Sequence, residues 1–447
     1  MADKLLVRAY NVEVGDCIYC RIPKARKKGG VVDDFHILID CGSVGGIAHL
    51  KAALTDLQLM LPDAGDGKRR LDLLVVTHEH KDHIAGFDPD FFKDIRIEHI
   101  WMNAAMDPNH PQAGRTLELH RLATTAMRNL ASQNLALSPE LADLVALYGI
   151  DNDGAMEALR TTLPQRNGLT PKYVHAGLTP SKLKLPLHGA TIRVLSPELD
   201  IDRFYLGAEA DPLLPGLAAS GAAFRKQRKQ NRGPTPQPAN ISAADFRQLQ
   251  SRMLSSAFAF TELASKVTNN TSVVLLIEWK GKRLLFVGDA EWDTEFKEGK
   301  ANGAWNVMWH KRKARLNRPI DFLKIGHHGS ENATPWNDLE DGQVTEPSTI
   351  LDAILPLPAG AAKPTAKAVV STMRKNYETI PRSALLKELG KRVQNVRNYQ
   401  QALGNRASLL PKFTEFEKLW LDAPQPMRTD CENALSNAPF VDVEIEG

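Results

Sequence analysis

Apolar and polar positions alternate in short runs over the first forty residues. LLVRAYNV (5–12), CIYCRI (17–22) and FHILIDCG (35–42) are rich in β-branched, aromatic and aliphatic residues, and that spacing predicts strands. Lys27, Lys28, Gly29 and Gly30 mark the hairpin loop before the third. The period then changes: Ile47, Leu50, Leu54, Leu57 and Leu61 recur at helical spacing in IAHLKAALTDLQLML. LDLLVVTH (71–78) is a continuous apolar run of strand length, which reads as a buried strand, and RIEHIWMN (96–103) as another.

From about 108 to 170 the chain turns rich in Ala, Leu and Asn. Leu117, Leu119, Leu122, Met127 and Leu130 keep helical spacing, so this stretch reads as a helical insertion. Strands resume at LKLPLHG (183–189) and ATIRVLSP (190–197). A second insertion spans about 198–266, and its middle, 220–240, is basic and rich in Gly, Pro and Gln. SVVLLIEW, the Lys280-Gly281-Lys282 turn and RLLFVGD predict a hairpin that ends at Asp289. DFLKIGHHGS is a strand ending at two histidines, AVVSTM a further strand, and PRSALLKELGK a helix opened by Pro381. Residues 1–400 thus read as one α/β domain with two insertions, and 401–447 as a C-terminal extension with Phe413, Phe416, Trp420 and Phe440 available for packing.

Composition narrows the class. With 43% apolar and 24% charged residues the chain reads as globular. No apolar run is long enough to span a bilayer and no secretory signal is evident, so no membrane association is expected. Four cysteines are too few for a disulfide scaffold, which points to the cytoplasm. Cys17 and Cys20 form a C-x-x-C pair, but residues three apart on a strand face opposite sides, so they read as core residues. Net charge is only +3. Its distribution matters more: Arg225, Lys226, Arg228, Lys229 and Arg232 crowd one segment, and Lys311, Arg312, Lys313, Arg315 and Arg318 another. Either can contact phosphates, or simply solvate a loop.

The chemistry-bearing residues share one context, an apolar strand followed by a polar loop. These loops hold His78-Glu79-His80-Lys81-Asp82-His83, then Gly288-Asp289, then His327-His328. Loops at buried strand ends are where fixed ligands converge. Imidazole nitrogen and carboxylate oxygen suit borderline divalent metals. In an extended turn His78 and His80 can face one cation and Asp82 and His83 a second, with Asp289 bridging. No G-x-S-x-G nucleophile elbow and no phosphate-binding loop of the G-x-x-x-x-G-K-[ST] type occurs.

The run Thr77-His78-Glu79-His80-Lys81-Asp82-His83 after an apolar strand resembles the signature of the metallo-β-lactamase superfamily. YNVEVGDCIYCRI, ILIDCG, NNTSVVLLIEWKGKRLLFVGDAE, LKIGHHGS and VVSTMRKNYETIPRSALLKELG resemble the motifs of its ComEC-like branch, the hydrolase domain of bacterial DNA-uptake proteins. The likeness extends from residue 8 to about 393, interrupted by the insertions. It implies an αββα sandwich with the site at one edge between two sheets. It implies His78 and His80 on a first metal, Asp82 and His83 on a second, Asp289 between them, and a late histidine on the second. Position after Gly326 favours His327 as that ligand, with His328 beside it as a supporting group or a catalytic proton donor; the reverse assignment stays open. Asp82 would serve catalysis as well as the metal, and Asp40 would orient a ligand histidine.

Two departures from the superfamily pattern stand out. Where many members place a third histidine on the first metal, this chain has Thr268, Asn269 and Asn270, as the ComEC-like branch also has Asn near this point. Asn270 would then be a weak ligand or a supporting group, and manganese or magnesium would compete with zinc; His175 or His188 is an alternative donor. Ile380-Pro381 also lacks the histidine the branch often carries before that proline. The expected cofactor is two divalent ions, zinc or manganese and less readily magnesium, activating a hydroxide between them. The expected activity is hydrolysis of a phosphodiester in nucleic acid or a nucleotide. A carbonyl substrate (lactone, thioester or amide) is the alternative, and a binding module without catalysis a third reading.

Overall fold

The computed structural model describes residues 3–112, 119, 152–207, 261–337, 344–374, 380–409 and 423–447. Most of both insertions lies outside these residues, and with them the segment Arg225–Arg232.

Fifteen strands are described: β1 Lys4–Tyr10, β2 Ile18–Lys28, β3 Val31–Ile39, β4 Arg69–Leu71, β5 Leu73–Val76, β6 Ile95–Ile97, β7 Ile100–Asn103, β8 Lys172–Val174, β9 Ala190–Ser196, β10 Val274–Trp279, β11 Lys282–Phe286, β12 Phe322–Ile325, β13 Lys367–Val370, β14 Met427–Arg428 and β15 Phe440–Glu446. They build a seven-stranded sheet in the order β15-β1-β2-β3-β5-β7-β8 and a six-stranded sheet in the order β14-β13-β12-β11-β10-β9, with β4 and β6 pairing separately. Each large sheet is mixed. β1, β2, β3 and β15 pair antiparallel while β3, β5, β7 and β8 run parallel. In the second sheet β9, β10 and β11 are antiparallel and β11 to β14 parallel.

The alternation of the strands sorts side chains into layers. Ile37, Ile39, Leu73 and Val75 of the first sheet meet Leu275, Ile277, Leu284, Phe286 and Phe322 of the second in one buried core. The intervening Leu38, Leu74 and Val76 point outward onto Leu50, Leu54 and Leu57 of α1 (Ile47–Met60). On the other side Leu276, Leu285, Leu323 and Ile325 pack on three helices: α2 (Ala304–Leu316) through Trp305 and Met308, α3 (Glu346–Ile354) through Ile350 and Leu351, and α4 (Ser383–Gly390) through Leu385 and Leu386. Helix, sheet, sheet, helix is therefore the order of layers, the α/β sandwich expected of a metallo-β-lactamase fold. No helix among the described residues is long and apolar enough to cross a membrane.

Three details depart from the sequence expectations. The run 183–189 is not a strand but mostly turn and loop; the strand lies earlier, at β8, because Pro186 interrupts the ladder. RIEHIWMN is divided between β6 and β7. Among the described residues beyond 400, β15 pairs with β1 from Lys4 to Tyr10 and β14 extends the second sheet. Cys20 lies in the core between the sheets and Cys17 on the outer side of the first, as opposite-facing strand residues should; all four cysteines are buried and free.

The architecture brings the C-terminal ends of β3, β5, β11, β12 and β13 to one edge, where open α/β sheets place their ligands. His36 lies within β3, its Nδ1 2.7 Å from the Tyr19 hydroxyl. Burial, aided by Arg70, Arg21 and Arg26, pulls its pKa down to about 3. The unfolded chain therefore takes up a proton that the folded protein refuses. Stability from this residue is complete above the ordinary histidine pKa of about 6.5 and is lost progressively as pH falls toward 3. In denaturant titrations between pH 7 and 4, wild type should lose stability faster than His36→Gln, by about 1 kcal/mol per pH unit. Parallel profiles would remove His36 from the account.

Candidate metal centre

The site starts at Asp40, which follows β3 with a φ of 57° and a fully buried side chain. Its Oδ1 accepts the Thr77 backbone N–H at 2.7 Å, and its Oδ2 accepts the Thr77 hydroxyl at 2.6 Å. The same Oδ2 lies 2.8 Å from Nδ1 of His83. Asp40 thus fixes the end of β5 and the ring of His83 together, leaving Nε2 of His83 directed inward. His83 is carried on the short helix Lys81–Ile84. Gly42 lets the chain pass close beneath this turn, since a Cβ there would fall 2.3 Å from the backbone of Asp82 and His83.

His78 and His80 flank Glu79, and their nearest nitrogens, Nε2 of His78 and Nδ1 of His80, are 3.1 Å apart. Nδ1 of His78 faces the hydroxyls of Thr77 at 3.0 Å and Ser272 at 3.3 Å. The Thr77 hydroxyl already donates to Asp40, so it accepts from this nitrogen. That fixes the tautomer and leaves Nε2 as a lone-pair donor. From the second sheet, Asp289 follows β11 and places Oδ2 3.7 Å from His78 Nε2 and Oδ1 3.2 Å from His83 Nε2. His328 follows β12. Its Nδ1 lies 3.0 Å from the Ser371 carbonyl and so donates to it, and its Nε2 lies 2.8 Å from Asp82 Oδ2.

Among three groups whose donor atoms all lie within 4.8 Å of one another, two share Asp289: His78, His80 and Asp289, and Asp82, His83, Asp289 and His328; the third is Asp16, Asp40 and His83. Every member is buried. Asp82 Oδ1, His83 Nε2 and Asp289 Oδ2 are buried without hydrogen-bond partners. Native proteins rarely leave such atoms unpaired. Imidazole and carboxylate donors converging with unused lone pairs fit divalent cations, and no thiol enters either group.

The charges agree. Burial opposes ionisation of Asp82 and Asp289, yet neighbouring histidines outweigh it and hold both carboxyls below the usual range. Burial likewise opposes a proton on His83, but Asp289, Asp82 and Asp40 push its pKa well above the ordinary value. His78 goes the other way: burial and the neighbouring His83 favour the neutral ring, which a metal ligand requires. Ionised carboxylates at this depth call for compensating positive charge.

His327 and His328 both adopt left-handed backbone, with φ of 42° and 54°. That turn sends the two rings different ways. His328, not the His327 favoured from its position after Gly326, joins the four-residue group, because the Ser371 carbonyl captures it. His327 is the more open of the two, with a side chain 24% exposed. Its Nε2 lies 3.9 Å from Asp289 Oδ2 and its Nδ1 3.9 Å from Glu291 Oε1. His328 is enclosed, with a side chain only 3% exposed.

Of the two roles expected for Asn270, the contacts match the supporting one. Its amide oxygen accepts the backbone N–H groups of Glu291 at 3.1 Å and Ala304 at 2.7 Å, so both lone pairs are in use and it supports the loop after Asp289. His175 and His188 join neither group; His175 faces the Ala176 carbonyl, and the backbone of His188 bonds Ala25. Lys311, Arg312 and Lys313 lie toward the C-terminal end of α2. Arg312 pairs with Glu198, while the Lys311 and Lys313 ammonium groups lie over Phe204 and Trp309. Just beyond, Arg318 and Pro319 accept hydrogen bonds from Arg283, at the start of β11, whereas Asp289 follows its end.

Sequence reading missed Glu291, Asn269, Ser272 and Ser371. Glu291 was within reach, being two residues after Asp289 and hence on the same side; it is buried, and Asn269 donates to its Oε1 at 2.8 Å.

An α/β sandwich with a buried His/Asp cluster at the strand ends is the framework of a metal-dependent hydrolase. The family model described as Metallo-beta-lactamase superfamily matches residues 31–133, which include β3, β5 and the His78–His83 run. That superfamily consists largely of hydrolytic enzymes that bind divalent metals. No curated protein matches the chain.

Asp40 touches His83 but is absent from both groups that share Asp289, which makes its role separable. Asp40→Asn should leave the fold intact and weaken binding of one ion about 10- to 100-fold. Metal titration followed by elemental analysis checks this; unchanged affinity would remove Asp40 from the site.

Proposed function

We propose that the protein is a metal-dependent hydrolase that cleaves phosphodiesters of nucleic acid or nucleotides. The observation that carries the hydrolase reading is the sharing of Asp289 by two buried His/Asp groups. His78, His80 and Asp289 would hold one divalent cation, and Asp82, His83, Asp289 and His328 the other. Such a pair would polarise a bound ester and activate water for attack, with zinc or manganese suited to the nitrogen and oxygen donors.

The protein's own groups then have distinct tasks. Asp40 and the Ser371 carbonyl hold the rings of His83 and His328, and Thr77 holds His78. His327, open to solvent beside Asp289 and Glu291, is the imidazole placed to touch a substrate and donate a proton to its leaving oxygen. The phosphodiester preference is supported by the resemblance of its motifs to those of the DNA-uptake branch. It gains no support from Lys311–Lys313, whose charged groups are engaged by Glu198, Phe204 and Trp309.

The double change Asp82→Ala, His83→Ala should abolish metal-dependent activity and lower bound metal while circular dichroism stays native. Wild-type protein with manganese or zinc should cleave single-stranded or duplex DNA, RNA or cyclic nucleotides in preference to lactones and thioesters. Wild-type activity in the double variant would end the metal assignment, and turnover of esters alone would replace the substrate class.

The two adjacent histidines separate by the same measurements. His327→Gln should keep its metal and lose about 100-fold or more in kcat. His328→Ala should lose an ion. The opposite pattern would restore His327 as the ligand.

A further inference from the structure

The second group joins ligands from different sheets: Asp82 and His83 follow β5, whereas His328 follows β12. Apolar packing between sheets is non-directional, while metal coordination tolerates errors of only about 0.2 Å. A directional tie is therefore needed near this group. The buried pair of Asp16 and Lys324 has that geometry.

Lys324 lies in β12, four residues before His328, and is 2% exposed. Its ammonium is 2.9 Å from each carboxylate oxygen of Asp16 and donates to the Ile325 carbonyl at 2.9 Å. Asp16 is equally buried, in the loop between β1 and β2. Its backbone N–H donates to the Asp82 carbonyl at 2.9 Å, and its own carbonyl accepts from Gly42, also at 2.9 Å. One residue thus grips the Asp82–His83 turn with its main chain and the His328 strand with its side chain. The Asp16 carboxylate also falls in a third cluster of donors with Asp40 and His83. The Lys324 ammonium supplies the positive charge there.

The first group has separate ties across the sheets. Val273 N–H donates to the Thr77 carbonyl at 3.1 Å, and the Ser272 hydroxyl accepts from Asp289 N–H at 3.2 Å while facing His78. Its geometry does not pass through Asp16 or Lys324.

We propose that Asp16 and Lys324 are positioning residues for the second metal group, needed for Asp82, His83 and His328 to hold an ion together and dispensable for the ion at His78 and His80. This rests on the two-metal reading above. Removing Lys324 alone would strand a buried carboxylate and risk unfolding, so the main variant neutralises both partners.

The test titrates wild type, Asp16→Asn/Lys324→Met, Lys324→Arg and His328→Ala with manganese or zinc, counts bound ions by equilibrium dialysis, and monitors unfolding temperature. Wild type should bind two ions. The neutralised pair should remain folded, keep the first ion with near-native affinity and bind the second about ten-fold or more weakly, resembling His328→Ala. Lys324→Arg, which retains a cation, should hold the second ion better than the neutralised pair. Two ions at wild-type affinity in the neutralised pair, parallel loss of both, or no advantage for arginine would overturn the proposal. Fewer than two ions in wild type would instead overturn the reading on which it rests.

Discussion

Everything at the functional edge depends on placing three carboxylates, Asp40, Asp82 and Asp289, among four imidazoles in a space closed to water. Desolvation penalises each charge, and only close opposite charge can offset it. Histidines meet part of that demand. The unpaired atoms of Asp82, His83 and Asp289 mark where the protein's own groups stop. Around them the neighbours are arranged to face imidazole lone pairs inward: a carboxylate behind His83, a carbonyl behind His328 and a hydroxyl behind His78.

The sandwich makes this arrangement possible. Parallel strands deliver their C-terminal ends to the same edge, and the apolar layer between the sheets is built by alternate residues of the same strands that carry the ligands. β5 contributes Leu73 and Val75 to the core and then, past Val76, begins the ligand run. β12 contributes Phe322 to that core and Lys324 to the ion pair before reaching His328. Packing and chemistry are thus set by one alternation, so a register slip in either strand would damage both.

Where the converging donors are contiguous, the sequence was readable. His78 to His83 carry their spacing with them, and the apolar run before them is a buried strand. Asp289 could be found because it ends a recognisable hairpin. His327 and His328 could not be settled, since a pair of left-handed residues and the Ser371 carbonyl, just past β13, decide which ring turns inward. Asn270 looked like a donor, but its lone pairs are taken by backbone groups, one of them at Ala304. The partnership of Asp16 with Lys324 spans 308 positions and leaves no periodic trace. The closing strand β15 was hidden for the same reason, because its partner is the first strand of the chain.

Asp82 and His328 touch across 246 positions. No early stretch of the chain therefore contains the four-residue group, and an ion can find that set only after both sheets have docked. Binding there would favour the folded state by mass action, roughly 2.7 kcal/mol when free ion exceeds its dissociation constant a hundredfold. Cation supply would in that way act on the lifetime of the protein as well as on its turnover, with scarcity exposing the joint between the sheets first.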